Sequence, residues 1–378
     1  MVQFNKCSGI YKVNELKIPK EPKQTDVYSV WKVAHLREKI DQLRKGEIIT
    51  PTHIQVDLTG RCNYNCVHCF YRNAGFKHLE FVPSEEIPLN VGARLFDQMA
   101  DLNIPSLELT GGGEPLTYPA IKECLDRIAD RKLELALVTN GSLLNEEILE
   151  RIKNPKWIRF SVDAATDKTY ARYHQTHPRM FNTTLENIKR VVDENFKDCS
   201  VGVSYVTCPT TYKEIVKATE LFKSIGVNNI RFTFAYTTKY DKLLAPKQRK
   251  ETFELLKQAK QLEDDKFKVF VMETRLDDFS QKNVGNKDFS FCGYQMFTFQ
   301  IGCDSLVYPC CVMKYYKPFA FGDIRKQSLK EIIFGEARKK YLEQFDVNKC
   351  LPCWLKHRNK AIEYLCLDKE KVPHVNFI

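Results

Sequence analysis

From about residue 52 the chain alternates short runs rich in β-branched and aromatic residues with longer stretches whose apolar positions recur every three or four residues. That is the pattern of repeated βα units around a parallel sheet. The runs His53–Leu58, Ser106–Leu109, Leu133–Val138, Trp157–Val162, Ser200–Val206 and Asn229–Phe234 predict six strands. Leu89–Asp101, Pro119–Arg131, Asn145–Lys153, Thr184–Glu194 and Tyr212–Ser224 predict helices between them, with Thr211 and Glu214 as a capping box for the last. Upstream, Val30, Val33, Leu36, Ile40 and Leu43 share one helical face, which predicts a helix from about Val30 to Lys45 packed on the sheet unit. After about Pro246, a helix and a strand near Val269–Met272 lead into a tail. There Gln295–Ile301 and Leu306–Tyr308 read as a hairpin, and Ser328 with Glu331 caps a helix running to about Phe345. The expected organisation is a basic lead-in with one helix over 1–50, an α/β unit over 51–245, and a linker and tail over 246–378.

Composition narrows the class. With 43% hydrophobic and 12% aromatic residues in 378, the chain can bury a large core, and global disorder is excluded. No run reaches the roughly 18 apolar residues of a membrane span, and the opening MVQFNKCSGIYK lacks the apolar stretch of a secretory signal, so a soluble, cytoplasmic protein is expected. In that setting 14 cysteines read as metal ligands rather than as a disulfide framework. Cys62, Cys66 and Cys69 fall together and seven more lie between Cys292 and Cys366, which implies two sites, while Cys7, Cys124, Cys199 and Cys208 are scattered and read as packing residues. The net charge of +10 is spread along the chain, with clusters at Lys247–Lys250 and Arg338–Lys340. It permits a nucleic-acid partner, and a lysine-rich surface that keeps the protein in solution explains it as well.

In parallel βα architectures chemistry collects where the strands end. The cysteine triplet follows the first predicted strand, Thr110–Pro115 the second and Thr139–Gly141 the third, while Asp163 closes the fourth. Thiolates bind iron-sulfur clusters and zinc. A four-iron cluster takes four thiolates, so three leave one iron open to a small molecule. The alternative is a zinc knuckle, completed by His78 or a distant residue because His68 adjoins Cys69.

The phrase CNYNCVHC, with spacing Cys-x3-Cys-x2-Cys at the end of a first strand, resembles the radical S-adenosylmethionine superfamily. TGGGEP at 110–115 is similar to the glycine-rich motif that meets the methionine amino group, through Gly111, Gly112, Gly113 and Glu114. LVTNGSLL (137–144) and RFSVDA (159–164) are similar to the family's third and fourth strand ends. The resemblance implies cofactor-binding roles for Asn140, Ser161 and Asp163, although Asp163 also reads as a helix cap. It places Ser204 and Arg231 on the barrel lining. It covers about residues 52–235 and implies a partial (β/α)6 TIM-like barrel, a [4Fe-4S] cluster with one open iron, and S-adenosylmethionine. It also implies a reducing partner such as flavodoxin or ferredoxin.

In the tail, Cys292, Cys310 in DSLVYPCC and Cys350-x2-Cys353 resemble the auxiliary-cluster modules of SPASM and twitch type, a small hairpin-plus-helix domain. SPASM proteins need a further cysteine where this chain has Asn359, so the resemblance implies the twitch form. One auxiliary [4Fe-4S] cluster would be held by Cys292, Cys310, Cys350 and Cys353, with Cys303, Cys311 and Cys366 as spares. Arg275, near Asp277 and Asp278, is the candidate for touching substrate, with surface ion pairing as the other reading.

These expectations describe an enzyme that generates a 5'-deoxyadenosyl radical and abstracts hydrogen from a small polar substrate, a sugar, nucleoside or nucleotide, for dehydrogenation or rearrangement. The alternatives are radical modification of a peptide or of a base in DNA or RNA, and, from another class, a zinc-dependent nucleic-acid-binding protein.

Overall fold

The computed structural model describes residues 27–77, 79–239, 243–272, 287–350 and 353–371. Six strands, β1 (His53–Asp57), β2 (Ser106–Thr110), β3 (Glu134–Thr139), β4 (Pro155–Ser161), β5 (Ser200–Thr207) and β6 (Asn229–Phe234), pair in parallel in chain order. A seventh, β7 (Lys268–Met272), continues the series beside β6. The tail hairpin, β8 (Thr298–Ile301) with β9 (Leu306–Tyr308), joins the same sheet, because β8 lies parallel to β1 with Gln300 opposite Gln55. A two-residue strand, β10 (Gly322–Asp323), completes the order β10-β9-β8-β1-β2-β3-β4-β5-β6-β7. The end strands β10 and β7 do not pair with each other, so the barrel is partial.

Period-two alternation divides the strand residues between two faces. Ile54, Val56, Leu107, Leu109, Leu137, Phe160, Val203, Phe232, Phe299 and Ile301 enter one continuous core under the helices. Those helices are α2 (Leu89–Asp101), α3 (Ile121–Asp130), α4 (Glu146–Arg151), α5 (Asp167–His174), α6 (Arg179–Asp193), α7 (Ile215–Ile225) and α8 (Pro246–Lys260), while α1 (Arg37–Arg44) contributes nothing to that core. α2 is representative: Val91, Leu95, Phe96 and Met99 are buried at helical spacing, each adding roughly 1.5–3 kcal/mol by leaving water. The alternate strand positions, Gln55, Glu108, Arg159, Ser161, Ser204, Arg231 and Gln300, stay outside that core and turn to the inner face.

Several local expectations are revised. The lead-in helix is broken at Leu36 into a 3-10 turn, Val30–His35, and α1. Its apolar face packs on Met296, Phe297 and Ile362 of the tail, not on the barrel. The Thr211–Glu214 capping box does not form. Glu214 instead accepts from Ala165 N (2.6 Å), Thr166 Oγ1 and Thr169 Oγ1 (both 2.7 Å), while Thr211 Oγ1 donates to Val206 O. Three donors around the start of α5 outcompete one local amide. The Ser328–Glu331 box does form, yet its helix stops at Phe334, and a second, Glu336–Gln344, starts after Gly335. Residues 295–297 of the expected hairpin belong instead to one helical turn, Tyr294–Phe297.

Candidate functional site

The loop after β1 carries the cysteine triplet and is fastened to the next strand ends. Asn63 Oδ1 accepts from Asn140 Nδ2 at 2.9 Å, Asn63 Nδ2 donates to Ser142 Oγ at 2.8 Å, and Arg72 donates to Gly60 O at 2.8 Å. Burial pushes the Cys62 thiol up to about 11. It pushes Cys66 well above the ordinary range, with Asp163, Cys69 and Cys62 adding to the effect. Cys62 and Cys69 therefore lie close enough to Cys66 to act on its charge, and burial keeps the Cys62 and Cys66 thiols protonated until a metal displaces the protons. Among the described residues no three His, Cys, Asp or Glu side chains close on a single ion. His68 stacks on Tyr173 at 5.6 Å, and His78 lies outside the described residues.

The glycine turn after β2 is pressed against this loop. A Cβ at Gly113 would collide with the Arg61 carbonyl, and one at Gly112 with the Phe81 ring and the Tyr315 hydroxyl. At Gly111 the same atom would strike the Gly113 carbonyl, so the turn is built only from glycine. Glu114 is fully engaged with the end of β3. It accepts from Thr139 Oγ1 (2.6 Å), Asn140 N (2.7 Å) and Leu116 N (3.2 Å), and burial still raises its carboxyl to about 7 against those bonds. Glu114 thus clamps the second and third strand ends together.

Ser161, Ser204 and Arg231 align in one row across β4, β5 and β6, with Arg231 donating to Ser204 Oγ at 3.1 Å. Asp163 is no helix cap, since Thr166 caps α5. Its buried carboxylate accepts from Val206 N at 2.5 Å and lies 3.5 Å from His174 Nε2. Burial lifts it to about 7.

In the tail, Cys292, Cys310, Cys350 and Cys353 line one cavity of ≈ 420 Å³ of empty space including its mouth, walled by apolar residues such as Phe289, Val312, Met313 and Leu355. Asn359 lines it too, donating toward Cys353 Sγ at 4.0 Å and accepting from Tyr294 N at 2.8 Å. Cys303 is buried against the Tyr315 hydroxyl (3.3 Å), and Cys366 packs near Ile362. Neither Cys303, Cys311 nor Cys366 is among the cavity's lining residues. Cys124, Cys199 and Cys208 pack in hydrophobic clusters. Cys7, Arg275, Asp277 and Asp278 lie outside the described residues.

The two cysteine sites are joined. Phe70, next to Cys69, meets Trp354, next to Cys353, with ring centroids 6.0 Å apart, and both meet Tyr236. Beneath, Asp57 accepts from Gly112 N (2.7 Å), Lys314 Nζ (2.7 Å) and Tyr315 OH (2.6 Å), all buried. Burial alone would lower the Lys314 ammonium, but Asp57 and Tyr71 beside it hold it above its ordinary value. On the inner face Glu108 meets Gln55 (2.6 Å), His53 (3.5 Å) and Arg159 (3.8 Å), which hold its carboxyl below the usual range although burial opposes them. Gln300 nearby is fully buried with neither amide atom partnered among the described residues.

Sequence reasoning missed Asp57, Glu108, His174, Gln300 and Lys314. The signal for three of them was present: Asp57, Glu108 and Gln300 are polar residues inside parallel strands, where a near-continuous apolar run is the norm.

Fold and site together define an iron-sulfur protein on an open α/β barrel, with one cysteine loop at the strand ends and a second cysteine site in an appended domain. Residues 56–222 match the family model of the radical SAM superfamily, and residues 292–354 that of an iron-sulfur cluster-binding domain, SPASM. The chain thus contains a radical SAM domain and, toward its C-terminal side, a SPASM-type iron-sulfur cluster-binding domain. It is 32% identical over 178 residues to an AdoMet-dependent heme synthase of Methanosarcina barkeri, covering 47% of this chain and 48% of that protein. It is 21% identical over 329 residues to an Fe-coproporphyrin III synthase of the same organism, 79% of this chain and 80% of that one. The structure of Streptococcus suis SuiB bound to S-adenosylmethionine shares the fold, with a TM-score of 0.62 at 15% identity over 86% of this chain and 76% of SuiB. Of the first curated relatives it matches, the chain spans between 34% and 61% of the length. The superfamily's cofactors are a [4Fe-4S] cluster and S-adenosylmethionine, with auxiliary iron-sulfur in the appended domain. Three thiols in one loop and four around one cavity are a donor set that fits them. No helix among the described residues is long and apolar enough to cross a membrane.

Proposed function

We propose that this chain uses S-adenosylmethionine to start radical chemistry on a small polar substrate, such as a sugar, nucleoside or nucleotide, by dehydrogenation or rearrangement. The observation that carries the reading is the meeting of the cysteine loop and the glycine turn at consecutive strand ends, together with the row Ser161–Ser204–Arg231 on the inner face. Bound there, the cluster and S-adenosylmethionine would supply a 5'-deoxyadenosyl radical by one-electron cleavage of the sulfonium. Cys62, Cys66 and Cys69 would hold that cluster. The backbone of Gly111–Gly113 and Asn140 would line the cofactor, with Glu114 fixing the turn's shape. The polar inner face of Glu108, Arg159, Gln55 and Gln300 supports a substrate rich in hydrogen-bonding groups. Cys292, Cys310, Cys350 and Cys353 would hold a single auxiliary cluster, Asn359 standing where a further ligand would be needed.

The rings of Phe70, Tyr236 and Trp354 between the two sites favour a second reading, a flat aromatic substrate such as the tetrapyrroles named for two of the relatives. A peptide substrate is the third outcome of the same test. Anaerobically reconstituted protein with S-adenosylmethionine and dithionite should form 5'-deoxyadenosine, and the variant Cys62→Ala/Cys66→Ala/Cys69→Ala none. Failure of iron-loaded wild type to form it would overturn the proposal. Deuterium transfer into 5'-deoxyadenosine from labelled nucleosides, sugars, iron-coproporphyrin or peptides then selects among the substrates.

A further inference from the structure

We infer that His174 donates a hydrogen bond to the Cys66 thiolate and thereby raises the reduction potential of the cluster at that site. The inference rests on the proposal that Cys66 is a cluster ligand.

His174 closes α5, an element absent from the sequence expectation, and is 1% exposed. Its Nδ1 lies 3.1 Å from Cys66 Sγ. The ring is held from several sides, by Tyr170 (centroids 4.3 Å apart), Tyr173 (5.0 Å) and Tyr64 (5.6 Å). The end of the helix is also bound to the cysteine loop through the backbone, Val67 N donating to Tyr173 O at 2.9 Å and Asn65 N to His174 O at 3.3 Å. Contact between the imidazole and Cys66 is therefore built by two elements and does not depend on one rotamer.

The direction of the hydrogen bond follows from ligation. An iron-bound Cys66 has no proton, so a nitrogen 3.1 Å from its sulfur attracts only if that nitrogen carries one. At the other ring nitrogen Asp163 N donates to His174 Nε2 at 3.4 Å, a bond that fits a ring proton on Nδ1; the Asp163 carboxylate, 3.5 Å from the same nitrogen, favours the opposite tautomer, and the shorter contact to an anionic sulfur outweighs it. A donor aimed at a cluster sulfur in a dry site stabilises the more negative, reduced state. Outer partners of this kind tune a metal through its ligands. His174 touches neither substrate nor iron, so it is a positioning residue acting through Cys66. It also joins that sulfur to Asp163, so the cysteine loop and the end of the fourth strand are mechanically one unit.

The test is an EPR-monitored redox titration of the reconstituted full chain, reading the signal that S-adenosylmethionine perturbs, for wild type, His174→Phe and His174→Asn. His174→Phe keeps the ring and removes the donor, whereas His174→Asn offers an N–H at the Nδ1 position. At the wild-type midpoint, the reduced-to-oxidised ratio in His174→Phe should fall at least tenfold, a downward shift of about 59 mV for one electron. His174→Asn should recover most of it. An iron-loaded, S-adenosylmethionine-responsive His174→Phe with an unchanged midpoint would overturn this inference alone. A wild-type cluster that ignores S-adenosylmethionine would overturn the cysteine assignment as well. Independently of any variant, pulsed EPR on wild type labelled with 15N-histidine should show one ring nitrogen coupled to the reduced cluster, and absence of that coupling overturns the hydrogen bond.

Discussion

Around Cys62, Cys66 and Cys69 the neighbours are hydrogen-bonding groups, namely the Asn63–Asn140 pair, Arg72, His174 and Asp163. Around Cys292, Cys310, Cys350 and Cys353 they are mostly hydrocarbon and aromatic, Phe289, Val312, Met313, Val347 and Leu355. The first site has fewer thiols and more polar partners, which supports the proposed role of a centre that admits and orients a polar cofactor. The second has a full set of four thiols in an apolar wall, which suits a cluster that excludes other ligands. Cysteine number and the polarity of the surroundings change together. The two regions are nevertheless braced to each other by Asp57–Lys314 and by Phe70–Trp354.

The largest effect is expected of Cys350→Ala/Cys353→Ala. That variant should lose about four of roughly eight irons, keep forming 5'-deoxyadenosine, and lose turnover of substrate. If both activities vanish together, the two sites are one unit and the division of labour fails.

Next in size is the brace. Lys314→Met leaves the Asp57 carboxylate buried and unpaired, which costs about 3–5 kcal/mol and lowers the urea midpoint of the apo protein. Adding Asp57→Asn should restore most of the loss, and a Lys314→Met protein as stable as wild type would show the two regions to be independent.

A smaller effect separates the polar site by pH. Burial raises the Asp163 carboxyl from 3.8 to about 7, so the fold binds this proton more tightly than the unfolded chain does. The associated stability is complete below about pH 4 and is lost as pH rises through 7. Asp163→Asn, always neutral and able to accept from Val206 N, should therefore melt above wild type at pH 8, by the equivalent of about 2–4 kcal/mol. It should match wild type near pH 4, and an equal offset at both values would count against this account. The smallest effect belongs to the tail: Ser328→Ala removes a formed cap and should lower stability by about 1 kcal/mol without changing iron content.

Much of the barrel was legible because its signals are local. The alternation of β1 to β6, the Cys62–Cys66–Cys69 spacing, the Gly111–Gly113 turn and the Ser328–Glu331 cap each occupy a few consecutive residues whose backbone requirements are set by their own chemistry. The Thr211–Glu214 pair shows the limit: the local pattern was present, and donors on Ala165, Thr166 and Thr169 took the carboxylate.

The order of strands, the placement of thiols and glycines at their ends, and the separation of the cysteines into two groups follow from stretches of neighbouring residues. Only the tertiary structure decided that β8 pairs with β1, that Lys314 neutralises Asp57 across 257 positions, that Gln300 turns inward and that His174 reaches Cys66. Local periodicity and backbone propensity are written in neighbouring residues. Which buried charge, amide or imidazole meets which partner is settled only when distant elements pack and exclude water, so that each polar group must take the partner within reach.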